Sequence, residues 1–171
     1  MSDRSLQDVI SLFGRRSRTR GLADYQIFAQ GPVIDLRLER HNRLIKREYD
    51  RVLDQVLALS TMQGSRLTAE ALIILVNASD IHIRSIRAEF RSFVSLLQND
   101  EDRNSMEFER DMEVSELTRM KDIGEADLLA HRENTHSPER VANKVINVLL
   151  KMETTRKAFS RTIRALASSR L

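Results

Sequence analysis

Three stretches of this chain repeat apolar residues at alternating steps of four and three, which lines them up along one side of an α-helix. The first stripe is Leu38, Ile45, Tyr49, Val52, Val56 and Leu59, with Asn42 as its polar member. The second runs Leu72, Val76, Ser79, Ile83, Ile86, Phe90, Phe93 and Leu97, and the third Val141, Val145, Val148, Met152, Thr155, Phe159, Thr162 and Leu166. Flanking apolar residues such as Leu53, Leu57, Ile73, Val94, Leu149 and Ile163 widen each stripe beyond a two-stranded seam. A wide stripe suits a helix with at least two neighbours, so the pattern predicts an all-α fold, a bundle of three to four long helices. Two prolines and five glycines are too few for the many turns of a sheet-rich fold. At 171 residues the chain can bury roughly 70% of its unfolded surface, enough for one core without staples.

Boundary residues refine the outline. Ser137-Pro138-Glu139 supplies a capping hydroxyl, a proline at the first helical position and an acid, a strong start for the last helix. Thr68 is a candidate cap for the second helix, and Gly64-Ser65 separates the first two as antiparallel neighbours. Phe108, Met112, Leu117, Met120, Ile123, Leu128 and Leu129 keep no single clean face, so 104–133 reads as a charged helix, continuous or broken at Gly124, that covers one side of the bundle. The polar residues Asn42, Ser79, Thr155 and Thr162 either fix register or oligomer state, or sit where the helix face widens to solvent or bond back to their own helix.

Residues 1–31 form a separate element ahead of a bundle spanning 32–171. Leu6, Val9, Ile10 and Phe13 recur at i, i+3, i+4 and i+7, a short N-terminal amphipathic helix. A helix of about nine residues is not stable alone in water, so these four apolar residues are expected to dock on a partner surface. Arg15, Arg16, Arg18 and Arg20 follow between two glycines as a basic arm.

Charge is segregated along the chain. Residues 1–21 carry five arginines against two acids, Asp100–Asp127 carries eleven acids against four bases, and Lys151–Leu171 carries six bases against one acid. Each arginine of the arm can neutralise a phosphate, so the arm is a candidate polyanion-binding site, and Arg156, Lys157, Arg161 and Arg164 of the last helix are a second. The arm holds no aromatic residue on which bases could stack. The acid-rich stretch could lie against the basic last helix.

Several classes of chemistry lack their residues. Without cysteine there are no disulfides, thiolate metal sites or thiol nucleophiles. Glu133-x-x-His136, with His131 nearby, has the form used in helical di-metal proteins, but those need two copies and two further carboxylates, so no metal is expected. There is no glycine-rich phosphate loop, nucleophile elbow or His-Glu-x-x-His, so the chain reads as no enzyme, with no cofactor and no small-molecule substrate. The longest apolar run, Ala71–Val76, is far short of the roughly 20 residues that cross a bilayer, and the N-terminus argues against a secretory signal.

The residues reach no named family. They predict a soluble cytoplasmic helical assembly or adaptor protein, in a virion or nucleoprotein complex for instance. Its partners are another protein or itself as a homo-oligomer, with an acidic protein or nucleic acid against the arm. One alternative is a nucleic-acid-binding module built on the arginines. Another, less favoured, is a peripheral membrane protein using residues 5–13 and the adjacent arginines.

Overall fold

The computed structural model describes residues 36–97, 99–130 and 137–168, all in the second of the chain's two units, Leu36–Leu171. The expected N-terminal helix and arm, including Leu6, Val9, Ile10, Phe13, Arg15, Arg16, Arg18 and Arg20, lie outside these residues, as do His131, Glu133 and His136. Among the described residues the fold is all-α, with four long helices and no strand. They are α1 (Leu36–Ala58), α2 (Gly64–Phe93), α3 (Asp100–Ala130) and α4 (Pro138–Ser168), with short 3-10 turns at Leu59–Thr61 and Val94–Leu96.

Local chemistry explains the helix ends. After α1, the Ser60 and Thr61 hydroxyls donate to the carbonyls of Leu57 and Ala58, each at 2.8 Å, satisfying acceptors that the ending helix leaves open. The chain then turns through an extended Gln63 into Gly64, whose φ of +62° is a left-handed conformation that glycine adopts without a Cβ penalty. Because α2 starts at Gly64, Thr68 lies inside the helix, and the cap position is Gln63 with no side-chain cap bond. Asn99 caps α3, its Oδ1 accepting the Asp102 amide at 2.8 Å, and Asp100, Glu101 and Asp102 place negative charge at the positive end of the helix dipole. Ser137 begins α4 as its sequence predicts: its Oγ accepts the Arg140 amide at 3.3 Å.

Contacts between side chains set the helix directions. His82 of α2 meets Glu153 of α4, and Glu89 meets Ser160, so a step of seven on one helix matches a step of seven on the other. These two helices therefore run in the same direction, and they make the most extensive interhelix contact. α3 runs opposite to both: Arg110 lies over the Phe90 ring at 4.4 Å, and Gly124 abuts Leu75 and Val148. α1 packs chiefly on α2, and Arg84 ties the two by reaching Glu48 at 2.5 Å and Asp80 at 2.8 Å.

Part of the predicted α2 stripe is buried, at Ser79, Ile86 and Phe90, but the buried face extends to one side of it. Val76 is exposed and Leu72 and Ile83 are half-buried, whereas Ala71, Leu75, Ala78, His82, Ser85 and Glu89 are buried. These six form their own 4,3,4,3,4 row, rotated from the predicted one by about a quarter turn. Apart from Leu75 this row consists of small or polar side chains. Of the two readings of α3 the continuous helix is the one observed, running unbroken through Gly124. A Cβ there would stand 3.0 Å from Leu75 Cδ1 and 3.2 Å from Val148 Cγ2, so the glycine marks a close helix approach and not a break. The remaining core comes from residues such as Val52, Val56, Leu59, Leu149, Met152 and Phe159 on the predicted faces of α1 and α4, with Met106, Leu117 and Leu128 from α3.

Candidate functional site

Polar side chains converge where α1, α2 and α4 meet. The row that brings α2 onto α4 carries His82 and Glu89, each only 1% exposed. On α4 the facing row is Leu149, Glu153, Arg156, Ser160 and Ile163, again at steps of four and three. Arg156 donates to both carboxylate oxygens of Glu153 at 3.2 and 2.9 Å, and Lys157 lies 3.0 Å from the same group. Seven residues further on, Glu89 accepts from the Ser160 hydroxyl at 2.9 Å and from the Arg164 guanidinium. Tyr49 closes the α1 side, its ring 5.0 Å from the His82 imidazole and tilted by 55°.

The ionisation states follow from this geometry. Burial disfavours a charged imidazole and lowers the His82 pKa to about 4; Glu153 pulls the other way, and Arg156 and Lys157 add to the lowering. His82 is therefore neutral at pH 7, and its 3.8 Å approach to Glu153 is neither an ion pair nor a hydrogen bond. Burial also works against the Glu153 charge, but the Arg156 bonds, with Arg156, His82 and Lys157 nearby, hold its pKa below the ordinary carboxylate value. For Arg156, burial is outweighed by the Glu153 bond and by the fields of Glu153, Glu89 and Tyr49, so its pKa is raised. Burial, then the Glu153 charge, raises that of Tyr49. Among the described residues the Tyr49 hydroxyl, both His82 nitrogens and Glu89 Oε2 have no hydrogen-bond partner. Each such buried atom costs about 1–3 kcal/mol.

Three of the four cations predicted to hold a polyanion on the last helix face carboxylates of the fold. Arg156 and Lys157 pair with Glu153, and Arg164 pairs with Glu89 and lies 6.0 Å from the Phe93 ring centroid. Arg161 is exposed. The acid-rich α3 meets the basic end of α4 less than its charge suggests. Lys144 and Asp127 bridge the two helices at 2.8 Å near the start of α4, while Arg110, Arg119 and Lys121 pair with acids of α3 itself. Glu101, Glu107, Glu109 and Glu113 form no ion pair among the described residues. Burial, then the neighbouring Glu109 and Glu116, raises the Glu113 pKa.

The outward side of α3 carries the other concentration of unusual residues. Phe108 is 66% exposed, Met112 55% and Ile123 53%, and they share one side of the helix opposite buried Met106, Leu117 and Leu128. Beside this stripe a shallow open groove of about 300 Å³ is lined by Met120 of α3 and by Leu150, Lys151, Thr154 and Thr155 of α4.

His82, Glu89 and Glu153 were not singled out as buried partners in the sequence. The available signal was the second 4,3,4,3,4 row on α2, matched by one on α4, in which small and polar residues replace large apolar ones. Among the described residues no group of three or more His, Asp or Glu side chains is arranged to hold a metal ion, and no helix is long and apolar enough to cross a membrane. Comparison of the chain with protein-family models, curated proteins and solved structures returns no match.

Proposed function

We propose that the protein is a non-enzymatic assembly or adaptor module: a helical bundle that self-associates through an outward helix face. The observation that carries this reading is the apolar stripe on α3, where Phe108, Met112 and Ile123 stand in solvent on a helix whose opposite side already fills the core. Contiguous exposed apolar residues rimmed by charge mark protein contact surfaces. The interior polar groups support the same view. His82 and Glu89 are enclosed between helices, and Glu89 is bonded to Ser160 and Arg164 across the pair, an arrangement that orders helix pairing and keeps both residues from a substrate. The basic arm then serves as the contact to an acidic protein or nucleic acid, as in a subunit of a virion or nucleoprotein complex.

Light scattering behind size exclusion tests this reading on the intact chain and on one lacking residues 1–21, at low and high salt. The expected result is a defined oligomer for the intact chain and a monomer for the truncated one. An intact chain that is monomeric throughout, and that carries nucleic acid only at low salt, would replace assembly with polyanion binding as the main activity.

A further inference from the structure

We infer that the outward face of α3 is the docking surface for the N-terminal segment, residues 5–20, of a second copy of the chain. The inference rests on the self-association reading and names the two surfaces that would meet. The α3 side is both apolar and acidic. Phe108 and Met112 stand one turn apart, and Ile123 lies on the same side about 17 Å further along, past Ser115 and the Arg119–Glu116 pair; Met120 borders the groove beside Leu150. Glu107 and Glu109 flank Phe108 on either side without ion-pair partners among the described residues, in a segment whose eleven acids exceed its bases by seven.

That charge selects the occupant. Two α3 faces brought together symmetrically would oppose their negative charge, and nucleic acid or an anionic lipid surface would be repelled for the same reason. A basic amphipathic segment satisfies both properties of the face, and residues 5–20 have that composition. Leu6, Val9, Ile10 and Phe13 supply an apolar row that spans about 10 Å at helical spacing, short enough to lie on the α3 face. Arg15, Arg16, Arg18 and Arg20 follow directly and would run along the acids. Twenty-two residues separate Phe13 from Leu36, a tether that spans at most roughly 75 Å and so is long enough to reach another molecule. An arm-to-face contact is heterologous unless two copies exchange arms, in which case it closes as a two-fold dimer.

Two full-length variants test it by sedimentation velocity, alone and mixed. One carries Phe108→Ser, Met112→Ser and Ile123→Ser; the other carries Leu6→Ser, Ile10→Ser and Phe13→Ser. The three α3 positions are exposed, so thermal melting followed by circular dichroism should match that of the wild type, which shows that any lost association is a surface effect. The expected result is an associating wild type, self-association weakened at least about tenfold in each variant alone, and a heterodimer on mixing. The mixture retains one intact arm and one intact face, so one contact can form. An associating wild type whose α3 variant associates equally well would overturn this inference and leave self-association standing. A mixture that stays monomeric would overturn the arm-to-face contact in particular. A wild type that is monomeric at every concentration would overturn the self-association reading, and this inference with it.

Discussion

Glu89 concentrates the energetics of the helix interface in one carboxylate. It is buried, and Oε1 accepts from both Ser160 and Arg164. Removing one partner of a buried pair leaves the other charge without compensation, although Arg164 is partly exposed and can recover some hydration. Glu89→Ala should therefore cost about 2–3 kcal/mol in urea unfolding, towards the lower part of the range for such pairs. A double-mutant cycle with Arg164→Ala should show strong coupling between the two sites, and additive losses would contradict the pairing. His82 makes the second prediction at this scale. Its folded pKa of about 4 lies below the ordinary 6.5, so in that window the unfolded chain binds a proton that the folded chain does not. Its contribution is complete above the unfolded value and is lost as pH falls towards 4, on the order of 3 kcal/mol across the window. Around the imidazole stand Tyr49 from α1 and Glu153, Arg156 and Lys157 from α4; Glu153, with its lowered pKa, adds acid sensitivity of the same sign lower down. Urea midpoints should fall between neutral pH and about pH 5, and His82→Gln should flatten that slope. An unchanged slope would place the titration elsewhere.

The helices differ in how far the sequence alone describes them. In α1 and α4 the large apolar residues are largely those that become buried, so Val52, Val56, Val145, Met152 and Phe159 sit on the predicted faces. In α2 the face against α4 is built from Ala71, Ala78, His82, Ser85 and Glu89. Such residues carry no apolar signal, and the eye follows the flanking Leu72, Val76 and Ile83 instead. In α3 buried and exposed apolar residues lie on opposite sides and cancel the periodicity, so neither its buried face nor its exposed one is legible in the sequence. Polar residues within the stripes were read as register or back-bonding positions, and Thr162 does bond back, its hydroxyl donating to the Ala158 carbonyl at 3.2 Å. Gly124 offers a test of element packing. Alanine would gain about 1 kcal/mol of helix propensity, but its Cβ must displace buried Leu75 and the β-branched Val148, and overpacking of this kind costs about 1–3 kcal/mol. Gly124→Ala should lower stability by about 1 kcal/mol in chemical denaturation. A stabilised variant would show that α2 and α4 can yield to α3.

For the whole molecule, the folded charge pattern changes the weight of the two basic regions. Arg156, Lys157 and Arg164 face Glu153 and Glu89, so substituting them is expected to act first on stability. The arm at Arg15, Arg16, Arg18 and Arg20 remains the region expected to hold a polyanion, and its replacement by alanine should remove binding of a generic oligonucleotide at low salt, read by fluorescence anisotropy. Binding that survives the substitution would move the polyanion contact elsewhere. Oligonucleotide binding and self-association both draw on the charge of the arm, but only self-association needs the apolar contact at Phe108, Met112 and Ile123. Sedimentation velocity of the intact wild-type chain, across a wide range of protein concentration and at low and high salt, is the most direct test of the central claim. Self-association predicts a monomer that gives way to one defined oligomer as concentration rises; a single monomeric species throughout would contradict it.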